Sequence, residues 1–426
     1  MVEEVQAQSL DSIDSAGPST LANNPIQGDH NANQAQSMTY QPLAGPNATQ
    51  AMLEPGINQP FTIRLGNVSL RTGAGISIGY NDNINLAKTA RDADSIETVS
   101  FNLGGNWQPT DINNLSFNLG WDYQWYNFNH GQSNDSFLIS PDSQLQFNIL
   151  VGDFKITLHE GFAYQNDPIS VGEISNDSNF SRFTNDAGLT VYWDLDDVTA
   201  SLGYDHDNLW VFQKQYSYLD NQVDVISPAV EVNLSKAVQV GVNTTFSDTQ
   251  YSGDVQNNST GFTAGPFVTA QLSDFISVNG QVGYTMTNFN RGGLNGDSEN
   301  SSTYYYQVGV SHRINDTMSE SVTGGRQTIP GITSNFTDRT FANYSFNWQA
   351  TTYLSVNSNL WYENLDDSEA STRQTADRYG AGLNLSYGLT DHASVGMAYQ
   401  YVLKVADPSY LGYYQDSTTL GFNYEF

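Results

Sequence analysis

The chain contains no cysteine among its 426 residues, which excludes a disulfide framework and any thiolate metal or redox site. Such a chain is permitted in an oxidising compartment, where no thiol can mispair. Basic residues are scarce: 15 Lys and Arg stand against 45 Asp and Glu, a formal net charge of -30. That balance excludes the basic patches nucleic-acid binding needs, and an acidic lumen or acidic loops would attract cations. No stretch approaches the roughly 18 consecutive apolar residues of a helical membrane span, and mean hydropathy is only -0.44. Met1-Val2-Glu3-Glu4 has neither the basic start nor the apolar core of a signal peptide. Val5-Gln6-Ala7 has the small-residue look of a cleavage site, so the chain is read as already trimmed near its mature start.

What is present is a set of strand formers: 25 Tyr, 21 Phe, 7 Trp and 36 Gly. A transmembrane barrel escapes the hydropathy test because it hides its apolar surface in alternation. The last nine residues, Thr418 to Phe426, show this most clearly. A period of two places Leu420, Phe422, Tyr424 and Phe426 on one face, with Thr419, Gly421, Asn423 and Glu425 on the other. One face suits lipid and the other water. A terminal Phe preceded by aromatics at every second position resembles the C-terminal signature of bacterial outer-membrane β-barrels.

From Val68 onward the chain repeats a unit of about 40 residues: strand, longer polar loop, strand, short turn. The short turns are Gln108 to Asn114, Val151 to Asp153, Asp194 to Asp197, Ser235 to Ala237, Ser273-Asp274, Asn315 to Thr317, Ala350 to Thr352 and Thr390 to His392. Each is rich in turn formers. Longer loops fall near Asn81 to Asp94, Asn129 to Asp135, Asn166 to Phe180, Gln213 to Leu219, Tyr251 to Asn257, Asn290 to Asn300, Pro330 to Asp338, Asp366 to Thr372 and Pro408 to Tyr414. The expectation is an all-β, transmembrane, antiparallel up-and-down barrel of about 18 strands. Short turns and both termini would be periplasmic and long loops extracellular. Aromatics at Trp125-Tyr126, Trp210, Tyr304 to Tyr306, Trp361-Tyr362 and Tyr399 to Tyr401 are read as interfacial girdles.

Two segments break the pattern. Glu160 is in phase with Phe154, Ile156, Leu158 and Phe162, so either a bulge shifts the register or a carboxylate faces outward. Met318 to Thr328 is poorly apolar, which suggests a sheltered or oligomer-facing strand, or a miscount. Residues 1 to 60 form a separate low-complexity arm, rich in Ser, Asn, Gln, Ala, Asp and Pro, that cannot bury enough apolar surface to fold alone. It is read as a periplasmic tail, a plug or a partner-docking segment, ahead of a barrel over residues 61 to 426.

The stretch Gly73-Ala74-Gly75-Ile76-Ser77-Ile78-Gly79-Tyr80-Asn81-Asp82-Asn83-Ile84, followed by Asp92 and Asp94 before a strand, resembles the opening of the beta-barrel porin 2 family. The resemblance would run from about residue 60 to the C-terminus. It implies a Gram-negative outer-membrane barrel acting as a passive channel or structural element, with no catalytic residues.

Alternation assigns Arg71, Asn118, Asp122, Gln124, Lys155, Asn243, Asn279, Gln281, Gln307, Arg313, Asn357 and Asn384 to the inner face. A basic residue turned to lipid at mid-strand would cost about 2 to 4 kcal/mol. Arg71, Lys155 and Arg313 are therefore candidates for a constriction, with Asp122 opposing them, or for ion pairs on the inner wall. The acid pairs Asp92/Asp94, Asp196-Asp197, Asp205/Asp207 and Asp366-Asp367, placed at strand ends and loops, offer the clustered oxygens calcium needs, though no EF-hand loop is present. Solvated loop charge explains them equally, and no cofactor is expected. Asp205-His206-Asp207 and His159-Glu160 are the spots where imidazole adjoins carboxylate, but neither has a nucleophile with a base and an orienting group, so no enzyme is expected. The favoured reading is a porin-like outer-membrane channel for small polar solutes or ions, preferring cations. The alternatives are a docking barrel that holds a protein partner through its arm, loops or outer wall, and an uptake channel gated by a plug. A homo-oligomer, trimeric by analogy with porins, is a further expectation.

Overall fold

The computed structural model describes residues 63–128, 136–368 and 373–426; the arm before residue 61 and the loop Asn129 to Asp135 lie outside this set. Twenty antiparallel strand segments join in one sheet. Ile63–Leu65 only pairs back on the start of Val68–Asn81, and Ser136–Ile139 with Gln144–Val151 form one interrupted strand, which leaves eighteen wall strands. The first, Val68–Asn81, pairs with the last, Tyr413–Glu425, from Gly73 opposite Glu425 to Asn81 opposite Ser417. The sheet thus closes on itself, and no edge along the wall is left with unpaired backbone groups.

The connections explain why neighbouring strands pair in order. Eight are short, among them tight hairpins in which Val151 lies opposite Phe154 and Leu195 opposite Val198. Gly152 (φ 58°) and Asp196 (φ 65°) supply the left-handed backbone such turns require. The opposite ends are joined by nine longer loops, two of which carry 3-10 turns at Lys214–Leu219 and Ser409–Leu411.

Side chains sort by parity. Ile76 (60% exposed), Val308 (51%) and Leu420 (54%) point outward with nothing of the protein covering them, as a lipid-facing wall requires. Trp107, Phe154, Trp193, Tyr353, Tyr387 and Tyr424 are exposed toward the short-turn end, and Tyr80, Trp125, Trp210, Tyr304, Tyr379 and Tyr414 toward the long-loop end. Trp361 is a correction: it faces inward and is buried, because the loop 166–181 packs over it.

Most wall strands have 13 to 15 residues. At the usual tilt such strands rise about 35 Å, beyond the apolar band of about 25 Å. Outward-facing polar pairs occupy the excess near the long loops. Asp224 accepts from Tyr204 (2.7 Å) and meets His206 Nδ1 at 2.9 Å, Asp377 accepts from Tyr362 (2.8 Å), and Arg326 pairs with Asp338 (2.7 Å). Glu160 belongs to this set. The pairing from Phe154 opposite Trp193 to Gln165 opposite Arg182 has no bulge, and Glu160 accepts from Asn185 on the outer face. Met318–Pro330 is a regular strand paired on both sides, so its polarity is no miscount.

Candidate functional site

The wall encloses a lumen, and the loop 166–181 crosses it. This loop leaves the fifth wall strand, Phe154–Gln165, and returns into the sixth, Arg182–Leu195. Arg182, 2% exposed, fastens its root: Nη1 donates to the carbonyls of Asp167 (3.0 Å) and Phe180 (3.1 Å), and Nη2 to Ser170 Oγ (2.8 Å). Ile169, Val171, Ile174 and Phe180 are all buried. Val171, Ile174 and Phe180 pack with Leu209, Val211, Leu219 and Ile332, and Ile169 packs with Leu86, Trp361, Val402 and Tyr413.

The far end of the loop is latched to the opposite wall. The carboxyl of Glu173, 5% exposed, accepts from the Ile332 amide (2.5 Å) and lies 2.7 Å from Thr337 Oγ1, which is itself 2.8 Å from Asp367 Oδ1. The Glu173 carbonyl accepts from Lys404 Nζ and Gln374 Nε2, each at 3.1 Å. Arg378 Nη2 donates to the Ile169 carbonyl (2.7 Å). Beneath the loop Glu363 bridges Arg339 (2.8 Å) and Arg378. Gly172 sits where a Cβ would come within 2.6 Å of Leu365 Cδ1 and 2.8 Å of Arg378 Nη1, so a residue without a side chain permits this approach. The sixth and fifteenth wall strands are nine steps apart in a ring of eighteen; the loop therefore spans the full width of the barrel.

Burial first, and then the neighbouring Asp367 carboxylate, raise the pKa of Glu173 above the ordinary carboxylate range. One hydroxyl hydrogen on Thr337 can serve only one of the two carboxylates it touches. A proton on Glu173 completes the chain from Glu173 through Thr337 to Asp367.

On the other side of the loop, facing the first strands of the wall, a cavity of about 190 Å³ remains. Thr98, Ser100, Gln400, Gln415 and Thr419 contribute polar lining, while Pro168 and Ile169 cover it from the loop. Its charged lining residues are Asp122 and Asp167, both acidic.

The structure distributes the predicted inner-face residues as follows. Asp122 and Gln124 are buried and line the cavity. Arg71 Nη2 reaches Asn118 Oδ1 at 3.4 Å, and its guanidinium lies over Gly104. Lys155, near the tight turn at Gly152, extends over Tyr192 at 5.4 Å. Arg313, next to another short turn, donates to the Asp274 carbonyl (3.1 Å). Gln281 stands opposite Gln307 and Asn357 opposite Asn384, Asn279 faces Gly309, and Asn243 accepts from Tyr305 at 3.4 Å. Arg71, Lys155 and Arg313 sit on the first, fifth and twelfth wall strands and are not brought together.

The acid pairs divide as well. Asp92 Oδ2 accepts from Asn85 (3.1 Å), Asp94 from the Phe128 amide (2.9 Å) and Asp366 from Arg373 (2.8 Å). Asp205-His206-Asp207 is not at a strand end but within Val198–Val211, so alternation turns His206 outward to Asp224 and both Asp residues inward. Sequence reasoning missed the lumen-crossing loop and its anchors Arg339, Glu363, Arg378 and Lys404. The available signal was Ile169, Val171, Ile174 and Phe180, too apolar for a loop in water.

No family model matches the chain, and no curated protein matches it. Among solved structures it is similar to Pseudomonas aeruginosa OccK2 (OpdF) in complex with glucuronate, at 9% identity and a TM-score of 0.50, covering 86% of this chain and 99% of that one. The outer membrane protein opdK from Pseudomonas aeruginosa aligns at 7% identity and a TM-score of 0.47, covering 84% and 99%. At such identity the likeness is one of fold: a closed, antiparallel, eighteen-stranded barrel of the kind outer-membrane proteins build.

Proposed function

We propose that this chain is an outer-membrane channel through which small polar solutes or ions diffuse passively, with both termini periplasmic and a preference for cations. The observation that carries the reading is the loop 166–181, which crosses the lumen and leaves beside it a cavity of mixed polar and apolar lining whose charged residues are Asp122 and Asp167. An eighteen-stranded wall is wide enough to hold water, and a loop held across it converts a wide hole into a passage that sorts by size and charge. Acidic lining raises the local concentration of cations and lowers that of anions. The structural likeness to OccK2 crystallised with glucuronate supports a barrel able to hold a small polar molecule. Membership of the beta-barrel porin 2 family, from the residues 73–84, belongs to the same reading.

Single-channel current across a planar bilayer under a salt gradient tests it. Stable conductance with a cation-selective reversal potential is the expected result. Silence from purified barrel that shows heat-modifiable migration would overturn it.

A further inference from the structure

On the inner wall, three adjacent strands bring one imidazole and two carboxylates to a single point. His159 comes from Phe154–Gln165, Asp186 from Arg182–Leu195 and Asp205 from Val198–Val211. His159 Nε2 lies 3.1 Å from Asp205 Oδ1 and 3.5 Å from Asp186 Oδ1, and the three donor atoms all fall within 4.8 Å of one another. We propose that these residues bind a divalent first-row transition-metal ion. Metal–ligand bonds of about 2.1 Å at tetrahedral or octahedral angles place neighbouring donors about 3.0 to 3.4 Å apart; the 3.1 Å separation falls in that range and the 3.5 Å separation lies just above it. Imidazole beside carboxylate selects such ions over calcium or magnesium, which take oxygen alone.

The pairing of the strands shows how the wall makes room. His159 and Asp205 each stand opposite Gly188, which lies between them. A Cβ on Gly188 would fall 2.3 Å from Asp205 Oδ1 and 2.7 Å from His159 Cε1, within the space where the two side chains converge. Asp186 stands between Gly161 and Asp207 in the next row. Carboxylates directly opposite one another on neighbouring strands repel, and Asp186 faces Asp207 in this way. With Asp205 they place three negative charges beside one imidazole, a field that a doubly charged ion offsets more fully than a single imidazolium. The side chains of His159 and Asp186 are each 15% exposed, so the site is recessed in the wall yet within reach of water. This inference stands apart from transport: the cluster lies on strands that do not border the Asp122 cavity at these residues.

The test uses the full chain in detergent micelles, stripped with chelator and titrated with Co²⁺ alone, read by visible d–d absorption and equilibrium dialysis. The expected result is about one ion per chain in the wild type and more than about tenfold weaker binding in His159→Ala and Asp205→Asn. Gly188→Ala keeps every ligand and fills the space between them, and it should lose the ion as well. His206→Ala, on the outer face, should bind as the wild type does. Heat-modifiable migration reports that each variant is folded. Wild-type protein without a Co²⁺ band, or folded variants that bind as the wild type does, would overturn the proposal; the wild-type titration decides even if a variant fails to fold.

Discussion

Replacing Glu173 by Ala removes the carboxyl tie of the lumen-crossing loop and leaves the ties of its backbone carbonyl to Lys404 and Gln374. The Ile332 amide, on a residue 4% exposed, loses its acceptor, and Thr337 loses one of its two carboxylate partners. Only the amide is left without a partner, since Thr337 keeps Asp367; one such buried group costs about 1 to 3 kcal/mol, so docking weakens by roughly 5-fold to 150-fold in the ratio of docked to released loop. The wall keeps its ladders and is not at risk. Single-channel recordings should therefore show larger or noisier current from Glu173→Ala at unchanged heat-modifiable migration. The wild type should also respond to pH. Because the docked carboxyl titrates above its released value, docking is strongest where Glu173 is protonated in both states. It weakens as pH rises from the ordinary value of 4.5 through about 8. Gln at this position can donate to Thr337 and accept from Ile332 without titrating, so Glu173→Gln should keep the closed behaviour and abolish the pH response. Currents from Glu173→Ala that match the wild type between pH 5 and 9 would refute the idea that this loop narrows the passage.

Other substitutions probe the wall and cavity. Asp122→Asn removes one of the two acidic groups lining the cavity; at about 4 Å in a water-like medium one charge is worth about 1 kcal/mol, so the reversal potential should move toward zero by an amount matching roughly fivefold less local cation. Val308→Arg turns a charge to lipid at mid-wall and should lower unfolding stability in urea titrations by about 2 to 4 kcal/mol. Gln307→Arg, one residue away on the inner face, should cost little. Gly380→Ala would set a Cβ about 2.0 Å from Trp361 Cε2; the indole must move, and the Trp361 contribution to fluorescence, isolated by subtracting the Trp361→Phe spectrum, should shift to the red.

The wall was legible because a strand writes its own geometry into consecutive residues. Leu420, Phe422 and Tyr424 alternate with Thr419, Gly421 and Asn423, and nothing beyond the strand is needed to say that they part to opposite faces. Turns were legible for the same local reason: Val151-Gly152-Asp153 and Asp194 to Asp197 lie where the backbone reverses. Glu160 was ambiguous because local pattern cannot separate a bulge from a strand that rises above the lipid. The loop's role was hidden, since Glu173 meets Ile332 and Thr337 at sequence separations of 159 and 164 residues. So was the meeting of His159 with Asp205, which depends on the register of two intervening pairings. Read along the chain, His159-Glu160 and Asp205-His206-Asp207 looked like adjacent partners, yet alternation splits each across the sheet.

The nine-step span of the loop has a mechanical meaning. A closed ring of strands flattens easily, because tilting one hydrogen-bonded strand against the next changes each bond only slightly. A chord tied between opposite points resists that deformation along its own length. The segment from Arg182 to Glu173 is such a chord, so the cross-section of this barrel can lengthen in that direction only by stretching the ties at Glu173, Arg378 and Lys404. Lateral pressure from the surrounding bilayer and the width of the passage are thereby coupled through the same few bonds.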